Sequence, residues 1–251
     1  MKTIEKMSFT AVLLLFAVNS ANAQQLFHVH EDIVNPAMDQ EYNTVAAKIM
    51  QTAKENPVEN LYDIALEGNN GSYYFVKGIS SMADLDKTSG VQLLAEKAGK
   101  EMVYGLFTEL DKCYDTELDY VMRLENDLSY MPNGMTQTPM GENYRSQHRL
   151  YVSPKNRAMV KSKLEAIKKL MSDKGSSMHY RVYKSVFGTD EWYMVALAAK
   201  DAEDYAKKSK DNQALIGADG KKAFDELYAS LLKYEIVTGN LRTDWMASQN
   251  E

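Results

Sequence analysis

Two consecutive α+β units of one design, each spelling strand, helix, strand, strand, helix, strand, are what this 251-residue sequence predicts. Three observations predict it. Met38, Tyr42, Val45 and Ile49 fall at spacings of 4, 3 and 4, and Val160, Leu164, Ile167 and Met171 repeat those spacings 122 positions later, so each half carries an amphipathic helix. Each of these helices follows one short strand-like segment and precedes two more. "FTEL" at residues 107–110 then returns as "FDEL" at 224–227, and at that offset of 117 Asp127 meets Asp244 and Leu128 meets Trp245. The drift from 122 to 117 is a change in loop length, and the shared order is that of a ferredoxin-like unit.

Taken in order, residues 1–23 read as a signal peptide: two lysines near the start, an apolar run "SFTAVLLLFAV" too short to span a bilayer, and the small-x-small "ANA". Cleavage would leave Gln24 first and release a soluble chain, with no membrane association, into a periplasm or the extracellular space. Losing two lysines and one glutamate takes the net charge from −6 to −7, and that acidity sets nucleic-acid partners aside. The lysines of residues 155–169 lie among apolar residues at helical spacing and read as a solvated helix face.

The first unit, residues 24–132, opens with the strand "LFHVHEDIV" and its helix. "NLYDIAL" and "SYYFVKGI" follow, joined by "EGNNG", whose Asn70-Gly71 is a hairpin signal. "SSMADLDK" reads as a short polar helix, "FTEL" as part of the next, and "NDLSYMP" closes the unit. Residues 133–146 are rich in Gly, Pro and polar residues without apolar periodicity, and read as a linker. The second unit, 147–251, repeats the order with "HRLYVS", a helix, "MHYRVYKSV", "EWYMVALAA", "AAKDAEDYAKK", "FDEL" and "TDWMA". Cys113 stands alone, so no intrachain disulfide is available and it reads as a small buried apolar group.

Two tandem units of this length, an amphipathic helix after "HVHEDIVNPAM" and the closing "NDLSYMP" give a chain that resembles the dimeric α+β barrel superfamily, which includes antibiotic-biosynthesis-monooxygenase-like and NIPSNAP-like proteins. The resemblance covers nearly all of the sequence after the leader. It implies that one sheet face packs on helices while the other faces a second sheet across a barrel whose interior holds the site. A tandem chain would supply both halves, as an intrachain pseudo-dimeric α+β barrel that is a monomer with a pseudo-twofold axis or pairs further as a homodimer. The resemblance also implies haem, held through one histidine, in some members, and cofactor-free oxygenation of electron-rich aromatics in others. No motif here selects between them, so the cofactor stays unassigned.

Within that barrel, strand alternation sorts side chains onto two faces. Phe27 and Val29 alternate with His28 and His30, and Leu150 and Val152 with Arg149 and Tyr151. With the apolar members expected on the helices, His28, His30, Arg149 and Tyr151 are expected to face the interior. The same logic sends Tyr62, Ile64, Leu66, Tyr180, Val182 and Val186 to the helix side, and Asp63, His179, Arg181 and Tyr183 inward. Strands 72–78 and 191–197 are apolar on both faces, which leaves open whether Tyr73 or Tyr74, and Trp192 or Tyr193, turns inward.

These eight inward polar residues form the expected ligand-binding wall. Arg149 and Arg181 are the natural clamps for a carboxylate or phenolate. His28 and His30 are the candidate catalytic residues, as carriers of a proton. As metal ligands they lack a third partner at a marked spacing, Asp63 and His179 being the alternatives, so no metal is assigned. His148 falls on the core-facing register. There is no G-x-S-x-G elbow, phosphate-binding loop, dinucleotide fingerprint or H-E-x-x-H. The functional expectation is an exported protein that binds a small aromatic or amphipathic molecule in its barrel. The alternatives are a cofactor-independent or haem-dependent monooxygenase-like enzyme and a non-catalytic structural pseudo-dimer with a filled barrel.

Overall fold

The computed structural model describes residues 25–246, so the leader expected at residues 1–23 lies outside the described residues. The described residues form eight strands and five helices: β1 (Leu26–Val34), α1 (Asp39–Glu55), β2 (Ile64–Gly68), β3 (Ser72–Ile79), α2 (Gly90–Ala98), α3 (Lys100–Leu110) and β4 (Tyr114–Leu124), then β5 (Tyr144–Tyr151), α4 (Arg157–Asp173), β6 (Tyr180–Phe187), β7 (Trp192–Ala199), α5 (Ala202–Tyr228) and β8 (Lys233–Leu241). The two apolar stripes behave as expected. Tyr42, Val45 and Ile49 are buried on α1, as are Val160, Leu164, Ile167 and Met171 on α4. Cys113 is fully buried in a single 3₁₀ turn before β4.

Each half's last helical stretch is interrupted at a glycine with positive φ. Gly99 (φ 112°) separates α2 from α3, and Gly217 (φ 56°) kinks α5, a conformation that side chains with a Cβ rarely adopt. "SSMADLDK" forms only a short 3₁₀ helix, Met82–Asp86, closed by a capping box between Ser81 and Asp84.

The strands close into one antiparallel barrel in the order β1-β3-β2-β8-β5-β7-β6-β4. Each half therefore contributes four neighbouring strands, arranged fourth, first, third, second, and the halves join at the seams β2–β8 and β4–β6. At the first seam Gly68 sits opposite Gly239, where a Cβ on Gly239 would run into the Glu67 carbonyl, so the close approach that seals the barrel depends on that glycine.

Both faces of this sheet are buried, one against helices and one inside the barrel, and that changes which side the apolar residues occupy. In the second half the expected assignment holds: Leu150 and Val152 pack with Val160 and Leu164 of α4, while Arg149 lies over the inward ring of Trp192. In the first half it is reversed. Phe27 and Val29 line the interior and His28 and His30 lie on the outer, helix-bearing face. Ile64 and Leu66 also point inward, whereas Asp63 precedes β2, is exposed, and accepts a hydrogen bond from the Gly78 amide outside the cavity. Alternation separates the faces of a strand, but when both are buried it does not say which is which.

Three boundaries also differ from expectation. Residues 144–146, assigned to the linker, are the first rungs of the β5 ladder, paired with both β7 and β8. β2 starts at Ile64, so Tyr62 stands before the strand and stacks on His30. Val186 is exposed near the end of β6 instead of in the core.

Candidate functional site

The interior of an eight-stranded barrel is narrow enough for side chains to fill most of it. Here they leave a cavity of about 90 Å³, walled largely by Phe27, Val29, Leu66, Tyr74, Met122 and Met194. Ordinary small-molecule pockets run to roughly 300–1,000 Å³, so this space suits a carboxylate- or phosphate-sized group and not the larger aromatic or amphipathic molecule expected from sequence. The third strands resolve as follows: Tyr74 and Trp192 turn inward, while Tyr73 meets Tyr42 of α1 and Tyr193 joins the core under α4.

Along β5, every second residue points inward, which sets Arg145, Gln147, Arg149 and Tyr151 in a row down the barrel. The row has two cationic ends. At one, the Arg149 guanidinium lies 5.3 Å from the Tyr74 ring and 5.1 Å from the Trp192 ring, and Glu31 Oε2 is 4.0 Å from its Nη2. The Tyr120 hydroxyl donates to the same Glu31 oxygen at 3.3 Å. Arg149 Nε and Nη2 remain without hydrogen-bond partners. Glu31 accompanies Val29 into the barrel.

At the other end Arg145, Arg181 and Tyr183 face the cavity beside Gln147. The linker closes this mouth: Gln137 accepts a hydrogen bond from the Tyr183 hydroxyl, and Arg145 donates to the carbonyls of Glu142 (2.5 Å), Tyr144 (3.0 Å) and Gln137 (3.3 Å). Among the described residues no carboxylate lies within 4 Å of either the Arg145 or the Arg181 guanidinium. The electrostatic consequence is visible in Arg145, which burial first, and the neighbouring Arg181 second, push down to about 10. Burial likewise lowers Arg181, which is only 2% exposed. Burial also pushes the Tyr183 hydroxyl up to about 12, so it is neutral, with its proton donated to Gln137.

The opening histidine pair is elsewhere. On the outer face of β1, His28 Nε2 is 2.7 Å from Asp119 Oδ1 of β4, and His30 Nδ1 is 3.3 Å from both oxygens of the same carboxylate. His30 Nε2 lies 2.9 Å from Asp32 Oδ1. Burial opposes a charge on His30, but the neighbouring carboxylates of Asp119 and Asp32 outweigh it and raise its pKa to about 10. The hydrogen bonds from His28 and then His30 hold the Asp119 carboxyl well below the usual range. Neither histidine faces the cavity, so neither is placed to move a proton there.

The other two histidines are also outside the cavity. His148 is enclosed by Tyr234 (2.5 Å from Nδ1), Tyr205 (3.0 Å from Nε2) and Ser146 (3.2 Å from Nε2) on the helix side, as its register predicts. His179 precedes β6 and borders a separate space of about 170 Å³ between the linker and α5, with Glu142 and Lys208. A haem requires both an axial ligand and a space of several hundred Å³ facing it. None of the four histidines meets both conditions, so these residues do not fit that group. Of the eight expected wall residues, Arg149, Tyr151, Arg181 and Tyr183 face the interior, and His28, His30, Asp63 and His179 do not. Sequence reasoning missed Arg145, Gln147 and Glu31. The first two fell in or beside the presumed linker, and the i, i+2, i+4 continuation of Arg149 back along β5 is the signal that finds them.

No protein-family model and no curated protein matches this chain. Solved structures do. An anthrone oxidase-like protein superposes with a TM-score of 0.59 at 12% identity, covering 90% of this chain and 97% of its own. A candidate monooxygenase of Lactobacillus acidophilus NCFM gives 0.52 at 15% identity, over 88% and 95%. A mutant chlorite dismutase of Candidatus Nitrospira defluvii gives 0.52 at 9%, over 88% and 92%. What they share is the fold. At these identities the likeness supports the α+β barrel that the sequence resemblance implied and carries no residue-level role.

Proposed function

We propose that this chain is an exported protein, two ferredoxin-like units fused in tandem into an intrachain pseudo-dimer, that binds a small organic anion inside its barrel. One observation carries the reading. Arg145 and Arg181 are buried around one cavity with no carboxylate in ion-pair contact, since Glu142, the acidic group that acts on both, is paired with Lys208, and a buried unpaired charge is costly unless a ligand completes it. Arg145 is largely spent on linker carbonyls, which leaves Arg181 as the clamp and Tyr183 and Gln147 as neighbouring polar groups. Acetate, benzoate and inorganic phosphate are the probes, read by calorimetric titration and thermal melting. At least one should bind saturably and raise the Tm. Arg181→Met should weaken that binding by about 10- to 150-fold, the equivalent of a charged hydrogen bond's roughly 1.5–3 kcal/mol, while the protein stays folded because a like charge beside Arg145 has been removed. No saturable response to any of the three would refute the reading. Export predicts that protein recovered outside the cytoplasm of the native host begins at Gln24 by intact mass, and a full-length cytoplasmic protein would contradict it.

A second reading, a monooxygenase-like enzyme, draws support from the fold shared with an anthrone oxidase-like protein and a candidate monooxygenase. In that reading Glu31, the carboxylate inside the barrel beside Tyr74, Tyr120 and Trp192, takes the proton-accepting role that the histidines cannot. Oxygen uptake on adding a small electron-rich phenol, measured against the spontaneous rate without protein, distinguishes the two, because an anion-binding protein would add nothing to that rate.

A further inference from the structure

Outside the barrel, the network around His30 contains an atom that hydrogen bonding leaves unexplained. Asp32 is 1% exposed, and its Oδ2 accepts from the Tyr42 hydroxyl at 2.5 Å. Its Oδ1 makes no hydrogen bond, and the nitrogen nearest to it is His30 Nε2, at an ion-pair distance of 2.9 Å. Glu117 of β4, directly across the ladder from Asp32, brings Oε2 to 4.0 Å from the same His30 nitrogen. One ligand atom from each of His30, Asp32 and Glu117 thus falls within 4.8 Å of the other two.

We infer that His30, Asp32 and Glu117 form a binding site for a divalent transition-metal ion on the outer face of β1 and β4, distinct from the anion cavity.

The supporting geometry comes from the strands. His30 and Asp32 are two residues apart on β1, so both project from one face, and the antiparallel register sets Asp119 opposite His30 and Glu117 opposite Asp32. Adjacent ligands about 2.1 Å from an ion are about 3 Å apart in octahedral geometry and about 3.4 Å apart in tetrahedral geometry, and His30 Nε2 and Asp32 Oδ1, at 2.9 Å, need little or no movement to reach either. Both anchoring ligands are already oriented. Asp119 holds the far ring nitrogen of His30, the Tyr62 ring stacks on the imidazole at 6.0 Å, and Tyr42 fixes Asp32 through its other oxygen. Glu117 has a side chain 56% exposed, which leaves a way in from solvent and room for water as a further ligand. One imidazole and two carboxylates favour zinc or manganese over a magnesium ion, which keeps its own waters.

The test uses tag-free protein freed of metal with a chelator and titrated with zinc chloride in a calorimeter at pH 7.5. One equivalent of zinc should bind with a Kd in the micromolar range or tighter and raise the Tm, with magnesium at the same concentration giving no response. Glu117→Gln, at an exposed position where the fold has little at stake, should weaken zinc at least tenfold, and His30→Gln should abolish it. Absence of stoichiometric zinc binding would overturn the proposal, and so would zinc binding that Glu117→Gln leaves unchanged. Arg181→Met should not alter zinc affinity, which keeps this result separate from the fate of the anion reading.

Discussion

Replacing Glu31 by alanine is expected to destabilise the protein by about 3–5 kcal/mol, a large part of the roughly 5–15 kcal/mol that holds a typical domain folded. Glu31 is the carboxylate beside Arg149 deep in the barrel, and both residues are more than nine-tenths buried. Arg149 already lacks partners at Nε and Nη2, so without Glu31 its charge would rest on the faces of Tyr74 and Trp192, the Tyr151 hydroxyl and the half-exposed Glu235 across the ladder. Cation–π contacts of that kind supply about 2 kcal/mol when desolvated, less than an uncompensated buried guanidinium costs. The double change Glu31→Leu with Arg149→Met removes both charges and should recover most of the loss, because apolar replacement of a whole buried pair is often neutral or stabilising. Urea titrations of the three proteins measure this. A single variant that loses less than about 1 kcal/mol, or a double variant no more stable than the single, would show that the pair is not coupled.

The order of elements was legible because it rests on local chemistry. Tyr42, Val45 and Ile49 of α1 and the whole 4-3-4 stripe of α4 are buried where the periodicity puts them, Met38 lying half-buried in the turn before α1, and Asn70-Gly71 forms the turn between β2 and β3, with Gly71 at φ 80°. The placement of side chains on β1 was not legible, because that depends on what lies on each side of the sheet. "FHVH" alternates cleanly, yet Phe27 and Val29 face the barrel and His28 and His30 face outward, toward carboxylates delivered by β4 from about 90 positions away in sequence. Nothing near His28 or His30 in the chain announces Glu117 or Asp119; the antiparallel register does.

The candidate site was half legible for the same reason. Arg149, Tyr151, Arg181 and Tyr183 were assigned inward correctly because in β5 and β6 the polar set does face the barrel. Arg145 and Gln147 were obscured by a linker boundary drawn from composition, since "ENYRSQ" has the polar character of a loop while its last four residues form a strand paired on both sides. The size of the cavity depends on how far Gln137 and its neighbours in the linker reach back over the mouth, which is a property of tertiary packing.

His148 provides a second large effect, in acid. Burial lowers its pKa from the ordinary 6.5 to about 4, and its two ring nitrogens are taken by the hydroxyls of Tyr234, Tyr205 and Ser146. The unfolded chain therefore binds a proton at this residue at a higher pH than the folded chain does. Stability follows the proton count: above pH 6.5 the residue is neutral in both states and costs nothing, between 6.5 and about 4 the unfolded state is progressively favoured, and below about 4 the penalty is complete. Each tenfold difference in proton affinity between the two states is worth roughly 1.4 kcal/mol, so the complete penalty is about 3 kcal/mol. His148→Gln keeps a polar side chain that does not titrate, so its stability should fall between pH 7 and pH 4 by about 3 kcal/mol less than that of the unaltered protein, even though its stability at pH 7 is lower from the altered hydrogen bonds. Free energies from urea titrations at the two pH values give the comparison. Equal acid losses in the two proteins would mean that His148 is protonated alike in the folded and unfolded states, and that the enclosure by Tyr205 and Tyr234 admits the charge.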